Sequence, residues 1–350
     1  MLVLSVPVLA QSSAPTSTPS TPTLDSGRLV IRAVQKTEGA TTPAGAKAQV
    51  HLFANGEQFG TLEALLDDQA TATLEGIPLK EGIRPLISVE FAGVTYQQAG
   101  PLMNRANPNA SVDVQVFGVT EQAPSWRVAS RQIMLTPDEG KLIVSESVII
   151  DNPANRTWLG GNIASNGKQT TIELGLPAGA QDIILVAGFH DWCCTTFENA
   201  ILAVQMPLMP GKKQHRFSYT LAMDEGRVDL PFASIAPTDE LAIFVPDKAF
   251  QITPQKMRTL SAQETEQGVL RMYHATDVPA VTPVGLRITG MLDDPTSAST
   301  TATTGAAMPP TATSTLLMTL IAVIVILAVA GVIVWWSRKT GAPAPPGLDP

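Results

Sequence analysis

Cysteine, histidine and clustered positive charge are all scarce in this sequence of 350 residues. The two cysteines and four histidines leave little material for a centre built from many cysteine or histidine ligands. Lys and Arg number 23 against 31 Asp and Glu, which gives a net charge of −8, and no segment concentrates the basic residues. Because nucleic-acid binding relies on clustered cations that replace counterions, we expect no nucleic-acid partner.

Sequence motifs of common enzymes are also missing. The chain contains no G-x-S-x-G, H-E-x-x-H, Walker, dinucleotide-binding glycine or C-x-x-C-H motif. We therefore expect a protein that is not an enzyme and that carries no cofactor. With 44% hydrophobic and 15% charged residues, the composition is that of a globular chain, neither disordered nor crossing the membrane many times.

Two regions, residues 27–118 and 125–290, consist of short runs in which apolar and polar side chains alternate. Such alternation places successive side chains on opposite faces of a strand, so that one face is buried and the other meets water. We therefore predict an all-β fold of antiparallel β-sandwiches. Their number is two, or three if the second region divides near residue 224.

Turn residues separate the predicted strands. Asn55-Gly56 lies between two alternating runs, which is the strongest short signal for a hairpin. Pro137-Asp138-Glu139-Gly140 and Asp224-Glu225-Gly226 are further predicted turns, each followed by a new alternating run. The side chains expected to share a face are Leu29, Ile31 and Ala33, then Phe217, Tyr219 and Leu221, then Val228, Leu230 and Phe232.

An uncharged apolar run extends from Leu316 to Trp336. About 20 helical residues at a rise of 1.5 Å cross the roughly 30 Å hydrocarbon layer of a bilayer. Trp335 and Trp336 suit the headgroup level, and Arg338 and Lys339 mark the end expected to be cytoplasmic. We therefore predict one membrane-spanning helix over these residues, with the preceding bulk of the chain outside the cytoplasm.

The other terminal segments are typical of export and linker sequences. Residues 1–10 resemble the end of a secretory signal peptide, with small residues near a cleavage point before Gln11. Residues 11–26 and 291–315 are rich in Ser, Thr, Pro and Ala, so we expect a disordered linker and a flexible stalk. We expect residues 337–350 to form a short cytoplasmic tail. The prediction is a single-pass protein of the cell membrane with an extracytoplasmic N-terminal ectodomain.

The first region has a distinctive order of strands and turns. A first strand, LVIRAV, is followed by the turn Pro43-Ala44-Gly45-Ala46 and a second strand, AQVHLF, and a later strand, TATLEGIP, closes on Gly76 and Pro78. This order resembles carboxypeptidase-regulatory-like and related immunoglobulin-type modules. The segment PLMPGKKQHRFSYTLAM is similar to sequences of bacterial membrane-anchored proteins that pair such a module with a further sandwich. The resemblance covers about residues 27–290 and implies a non-catalytic envelope module.

Both cysteines lie in one dense cluster, His190-Asp191-Trp192-Cys193-Cys194. A disulfide between adjacent cysteines would be strained, since successive Cα atoms lie about 3.8 Å apart and disulfides prefer about 4.4–6.8 Å. Such a bond is easily reduced, as a redox switch requires. His190, Cys193 and Cys194, with the thioethers of Met206 and Met209, are alternatively candidate ligands of a soft ion such as Cu(I). Against this, neighbouring residues of a strand point to opposite faces. Structural, redox and metal-binding interpretations therefore stay open.

Glu146 falls on the apolar face of Leu142, Val144 and Val148, where an unpaired charge would be costly. It is a buried catalytic acid, an edge residue facing water, or a partner of Arg131. We favour the two structural interpretations, because one face of a sandwich sheet is often solvated.

Together these features predict a non-catalytic binding or scaffold protein of the cell envelope. A tether raises the effective concentration of the ectodomain beside membrane partners without any new contact. The expected partners are the lipid bilayer and an envelope protein or polysaccharide. An alternative is an accessory factor that handles metal, haem or thiols through the Cys193 and Cys194 region during assembly of extracytoplasmic redox proteins. An enzyme acting on envelope polysaccharide is a third hypothesis.

Overall fold

The computed structural model describes residues 26–291, apart from residues 80, 81, 139, 225, 248, 266 and 267. Within them the secondary structure consists of β-strands and one three-residue 3-10 helix, Trp192–Cys194, which confirms the predicted all-β class. Among the described residues, no helix has the length and apolar character needed to cross a membrane. The predicted signal remnant, spanning helix and tail lie outside the described residues. So do the linker and stalk, except that Ser26 and Met291 belong to strands.

The chain divides into two compact units, one ending at Gly118 and the other beginning at Val119. The strands described in the first unit are β1 (Ser26–Gln35), β2 (Lys47–Ala54), β3 (Glu57–Leu65), β4 (Thr71–Pro78), β5 (Ile83–Phe91), β6 (Val94–Ala99) and β7 (Asn109–Val116). They form two sheets, with the strand orders β4-β1-β7 and β3-β2-β5-β6.

The predicted hairpin at Asn55-Gly56 is confirmed. β2 and β3 are antiparallel, and their last pair is Ala54 with Glu57. Only Asn55 and Gly56 therefore connect the two strands. Both have positive φ, 53° and 85°, which is the backbone of a type I′ turn and explains the preference for Asn followed by Gly. The alternation of β1 is confirmed as well, because Leu29, Ile31 and Ala33 are all buried.

The pairing of β1 differs from the prediction of purely antiparallel sheets. β1 is antiparallel to β4 but parallel to β7, with Leu29 opposite Ala110. On the exposed face of this parallel pair, Arg32 donates hydrogen bonds of 2.8 and 2.9 Å to the Asp113 carboxylate. Alternation predicts which face of a strand is buried, but it says nothing about the direction of a partner strand about 80 residues away.

The strands of the second unit are β8 (Val119–Thr120), β9 (Arg127–Asp138), β10 (Lys141–Asn152), β11 (Thr157–Trp158), β12 (Ile172–Gly175), β13 (Gln181–Ala187), β14 (Thr195–Glu198), β15 (Ile201–Val204), β16 (Gly211–Ala222), β17 (Val228–Ser234), β18 (Thr238–Pro246), β19 (Phe250–Gln255), β20 (Arg258–Thr259), β21 (Gln263–Thr265), β22 (Gly268–Val278) and β23 (Val284–Met291). One large sheet has the order β13-β16-β10-β9-β18-β22-β20, with β21 also on β22, and the other has the order β14-β15-β12-β17-β23-β19. β9 and β18 are parallel, as are the short strands β8 and β11.

Buried side chains from both large sheets belong to one apolar cluster. Val144 and Phe217 contribute from the sheet that contains β10 and β16, and Leu174, Phe232 and Leu286 contribute from the other. The predicted faces of β16 and β17 are buried, apart from the half-buried Val228. The two sheets therefore share a single core.

Of the other two predicted turns, the first closes a two-residue hairpin and the second does not. β9 continues through Asp138, which pairs with Lys141, so the connection to β10 is two residues long and includes Gly140 at a φ of 82°. The turn around Gly226 is present, with a bridge between Asp224 and Arg227. It does not return the chain beside β16; it carries the chain from one large sheet to the other.

Candidate metal and thiol site

The loop after β13 begins with a close contact between two backbones. Gly188 has a φ of 83°, and a Cβ atom at this position would lie 2.1 Å from the Gln214 carbonyl oxygen in β16. Only glycine has both the freedom to adopt this φ and the space to approach the neighbouring strand so closely. The chain thus leaves the sheet at a fixed point, and the cluster containing both cysteines follows directly.

Asp191 turns the chain into the 3-10 helix Trp192–Cys194. Its backbone, with φ 58° and ψ −172°, lies in a region that residues other than glycine rarely adopt. The Asp191 carboxylate accepts a 2.8 Å hydrogen bond from the Trp192 N–H. The Asp191 carbonyl accepts a 3.3 Å hydrogen bond from the Cys194 N–H. This side chain and its own backbone hold the unusual conformation.

The turn brings three potential ligand atoms together. The Sγ atoms of Cys193 and Cys194 lie 3.0 Å apart, and Nδ1 of His190 lies 3.6 Å from the first and 3.9 Å from the second. His190 and Cys193 are exposed, and Cys194 is half-buried. The expectation that adjacent cysteines point to opposite faces is wrong here, because they lie on a 3-10 helix instead of a strand.

Hydrogen bonds from two neighbouring segments hold the turn in place. The Lys168 ammonium donates to the Cys193 carbonyl oxygen, and the Gln205 N–H donates to the Cys194 carbonyl oxygen at 2.9 Å. The side-chain amides of Asn166 and Gln205 are also joined by reciprocal hydrogen bonds of 2.9 and 3.0 Å. The short loop that contains Asn166 and Lys168 is therefore fastened beside the three ligand atoms.

The two methionines of the predicted ligand set have other surroundings. Met206 packs against the core of the second unit, and its carbonyl oxygen accepts a 2.7 Å hydrogen bond from the Thr171 hydroxyl. Met209 is half-buried after the backbone bridge between Trp158 and Leu208. Of the predicted ligand set, the structure shows the ligand atoms of His190, Cys193 and Cys194 converging.

The surroundings of the Cys193 thiol raise its pKa. The hydrogen bond with Cys194 and partial desolvation raise the pKa of Cys193 above its ordinary value, and the charge of Lys168 opposes this only in part. Nucleophilic and disulfide-exchanging cysteines usually have a lowered pKa, since the thiolate is the reactive species. The raised pKa argues against Cys193 as a catalytic thiol, and it does not favour metal binding, because a metal ligand must be a thiolate as well.

A second group of polar side chains lies inside the core of the second unit. The Arg131 guanidinium donates to the Glu146 carboxylate at 2.7 and 3.2 Å. It also donates to the carbonyl oxygens of Ala233 at 2.9 Å and Gly175 at 3.1 Å, and it stacks over the Phe232 ring at 5.2 Å. Arg131 therefore links both large sheets, and the hypothesis that it is the partner of Glu146 is confirmed.

Tyr219 completes this buried group, and the sequence did not reveal it. Its hydroxyl donates a 2.7 Å hydrogen bond to Glu146, and desolvation followed by the Glu146 charge raises the pKa of Tyr219 well above its ordinary value. The side chains of Arg131 and Glu146 are only 2% and 0% exposed. A substrate cannot reach groups so enclosed, so we assign this ion pair a structural role. Glu146 is neither an edge residue nor a catalytic acid.

His215 on β16 is also buried, at 1% exposure. Desolvation, helped by the charge of Lys213, lowers the pKa of His215 to about 4, and the backbone of Gly188 opposes this only weakly. The Phe189 ring meets the imidazole edge-on, with 5.0 Å between ring centroids. His215 is therefore uncharged near pH 7. Its ring packs against Phe189, at the start of the loop that carries the cysteines. Its place on the buried face of an alternating strand could have been found from the sequence.

Comparison of the sequence with protein-family models and with curated proteins found no match. The likeness of residues 27–118 to carboxypeptidase-regulatory-like modules therefore stays a prediction. Any functional conclusion depends on the side chains that the structure brings together or leaves exposed.

Proposed function

We propose that the chain is a non-catalytic binding or scaffold protein of the cell envelope. Its ectodomain consists of β-sandwiches outside the cytoplasm, tethered to the membrane by a helix over residues 316–336. The sandwich interpretation is supported in the second unit by two large sheets that share one apolar core. In the first unit it is supported by two smaller sheets with alternating buried residues.

The observation that carries a binding function is the apolar outer face of β13, the strand at one end of its sheet as described. Ile183 and Leu185 pack against the core, as alternation requires. Ile184 and Val186, on the opposite face, are 59% and 46% exposed. Large apolar side chains placed together on a surface commonly mark an interaction site, because burying them against a partner removes apolar area from water.

The chemistry of this face favours a protein partner. The pairing of β13 with β16 has two register irregularities, a feature that hinders the addition of a further strand. Contact through side chains is therefore favoured over strand addition. Aliphatic side chains gain most from an apolar protein surface, whereas the hydroxyl groups of a polysaccharide would lose hydrogen bonds to water there. We therefore place an envelope protein, not a polysaccharide, on this face.

Replacing Ile184 and Val186 together by lysine is expected to weaken binding of the partner at least tenfold. The reason is that two buried apolar contacts become charges that must lose their hydration. The partner is captured with full-length protein in detergent, identified, purified and measured against wild type and variant by calorimetry. Leu65→Lys is the matched control, since Leu65 is 72% exposed in the first unit. Equal affinity of wild type and the Ile184 and Val186 variant would rule out this face.

The tether has an independent test. Protease added to intact cells is expected to remove the β-rich bulk of the chain. Carbonate washing of membranes is expected to leave the intact protein in the pellet, because a helix embedded in lipid resists extraction. Release of the protein by carbonate, or full protection from protease, would contradict the predicted topology.

A second function is favoured by the convergence of His190, Cys193 and Cys194 within 4.8 Å. It is that of an accessory factor for the assembly of extracytoplasmic redox proteins, acting through metal or thiol handling. Replacing both cysteines by serine separates the two functions. The accessory function is expected to be lost, whereas a scaffold retains its partner with unchanged affinity.

A further inference from the structure

Three soft or borderline donor atoms from five consecutive residues face one another at the surface of the second unit. They are the Sγ atoms of Cys193 and Cys194 and Nδ1 of His190, all within 4.8 Å of one another. This group contains no carboxylate within the described part of the chain. Hard cations such as Ca²⁺ and Mg²⁺ require oxygen ligands, so they do not suit it.

We infer that His190, Cys193 and Cys194 bind one Cu(I) ion through two thiolates and one imidazole nitrogen, with a coordination position open to solvent. This inference specifies the ion and ligands of the second proposed function and rests on that function for its biological meaning. Thiolates are soft donors that select Cu(I), and imidazole is a common further ligand of copper.

The distances between the donor atoms fit a shared ion. With metal–sulfur bonds of about 2.3 Å and a metal–imidazole bond of about 2.0 Å, a tetrahedral angle separates nitrogen and sulfur by about 3.5 Å. The observed separations of Nδ1 from the two Sγ atoms are 3.6 and 3.9 Å. Two sulfurs sharing an ion at the same angle lie about 3.8 Å apart, so the observed 3.0 Å must open slightly. Rotation of the exposed Cys193 side chain would open this distance, and it would also release the 2.7 Å hydrogen bond from Cys193 Sγ to the His190 carbonyl oxygen.

The backbone supports a preformed site. Asp191, between the histidine and the cysteines, has the rarely adopted φ of 58° and ψ of −172°. Such a conformation persists in a residue other than glycine only where its surroundings enforce it, and it often accompanies a functional site. The Asp191 carboxylate caps the turn by accepting the 2.8 Å hydrogen bond from the Trp192 N–H, and Asp191 is not among the residues whose ligand atoms converge.

The softness of the two thiolates is the reason for choosing Cu(I) over Zn²⁺. Three protein ligands with an open position also occur in catalytic zinc sites, so the ligand number argues only against a structural zinc site with four protein ligands. Binding of Cu(I) displaces one proton from each thiol and leaves a complex with a net charge of −1. The Lys168 ammonium, which donates to the Cys193 carbonyl oxygen, is placed to stabilise that charge.

The open side of the site suits transfer of the ion to another protein. His190 and Cys193 are exposed, and the Trp192 side chain between them is 46% exposed. An incoming thiolate or thioether could occupy the vacant position and replace the present ligands one at a time. A structural metal would instead be enclosed by a complete set of ligands.

The test is anaerobic titration of the reduced full-length protein in detergent with Cu(I), in competition with a chromogenic Cu(I) chelator. One Cu(I) per chain is expected, with two sulfur and one nitrogen neighbours in X-ray absorption. Cys193→Ser, Cys194→Ser and His190→Gln are each expected to weaken binding at least tenfold, whereas His51→Gln and Met209→Leu retain wild-type affinity. Unchanged circular dichroism of each variant excludes unfolding as the cause.

Absence of stoichiometric Cu(I), preference for Zn²⁺ over Cu(I), or equal affinity of the Cys193→Ser variant would overturn the inference. Failure of the proposed function is distinguishable from this. If Cu(I) binds stoichiometrically but the double serine variant still supports assembly of redox proteins, the accessory function is wrong and the metal site stands.

Discussion

Glu146→Ala is expected to lower the free energy of unfolding of the second unit by about 3–5 kcal/mol. The substitution leaves the Arg131 guanidinium inside the core without its carboxylate, and it removes the acceptor of the Tyr219 hydroxyl. Loss of one member of a buried ion pair is costly because the remaining charge keeps its desolvation penalty and loses its compensation.

The unfolding of the second unit can be followed separately from that of the first. The described part of the first unit contains no tryptophan, whereas Trp126 and Trp158 are buried in the second unit. Urea titration of the full-length protein, monitored by tryptophan fluorescence, therefore reports mainly on the second unit. Asp229→Ala is the control, since its ion pair with Arg287 is exposed at the surface. We expect little change in the free energy of unfolding of the Asp229→Ala variant, because exposed ion pairs contribute little to stability.

Replacing the ion pair and its hydroxyl partner by apolar residues gives a further check. Arg131→Met combined with Glu146→Leu and Tyr219→Phe removes both charges and the polar hydroxyl. It is expected to recover part of the stability lost in Glu146→Ala, because no uncompensated charge remains in the core. Recovery is incomplete because Arg131 also satisfies the Ala233 and Gly175 carbonyl oxygens. A Glu146→Ala variant as stable as Asp229→Ala would contradict the structural role of this group.

Acidification is expected to destabilise the second unit through His215. The folded state lowers the pKa of His215 to about 4, from an ordinary value of 6.5. Between these two values the unfolded chain binds the proton and the folded chain does not. The free energy of unfolding therefore falls as the pH drops from about 6.5 to about 4, by about 3 kcal/mol in total. Above pH 6.5 His215 is neutral in both states and makes no contribution.

His215→Leu removes this dependence while keeping an apolar side chain at the buried position. The measurement is the free energy of unfolding at several pH values from 7 to 4, followed by tryptophan fluorescence in wild type and variant. His190→Gln is the matched control, because His190 belongs to the same unit but is exposed. In this control the free energy of unfolding is expected to depend on pH as it does in the wild type. Parallel slopes for wild type and His215→Leu would show that His215 is not the titrating group.

The apolar face of β13 and the candidate copper site are consecutive along the chain. Ile184 and Val186 precede Gly188, and the three proposed ligands follow within six residues of it. A protein that docks on this strand would therefore lie near the ligands. The two functions proposed here are compatible, and the lysine and serine variants separate them.

Local features of the sequence predicted local features of the fold. Asn55-Gly56 predicted a hairpin because two residues with positive φ suffice to reverse the chain, and both conformations are available to Asn and Gly. The burial of Leu29, Ile31 and Ala33 followed from alternation alone. The membrane-spanning helix, the signal remnant and the anchor residues Leu316, Trp335, Trp336, Arg338 and Lys339 are predictions of the same kind, and they lie outside the described residues.

Relations between distant segments required the tertiary structure. The parallel pairing of β1 with β7 joins strands far apart in the chain, and no side-chain pattern in either strand encodes the partner's direction. Tyr219 joins Arg131 and Glu146 only because β16 pairs with β10 in the observed register. Alternation along a strand predicted that the adjacent cysteines point apart, whereas the 3-10 helix after Asp191 brings their Sγ atoms to 3.0 Å. Backbone conformation and strand register decide which side chains meet, whereas the sequence by itself determined the all-β class, the buried faces and the tight turns.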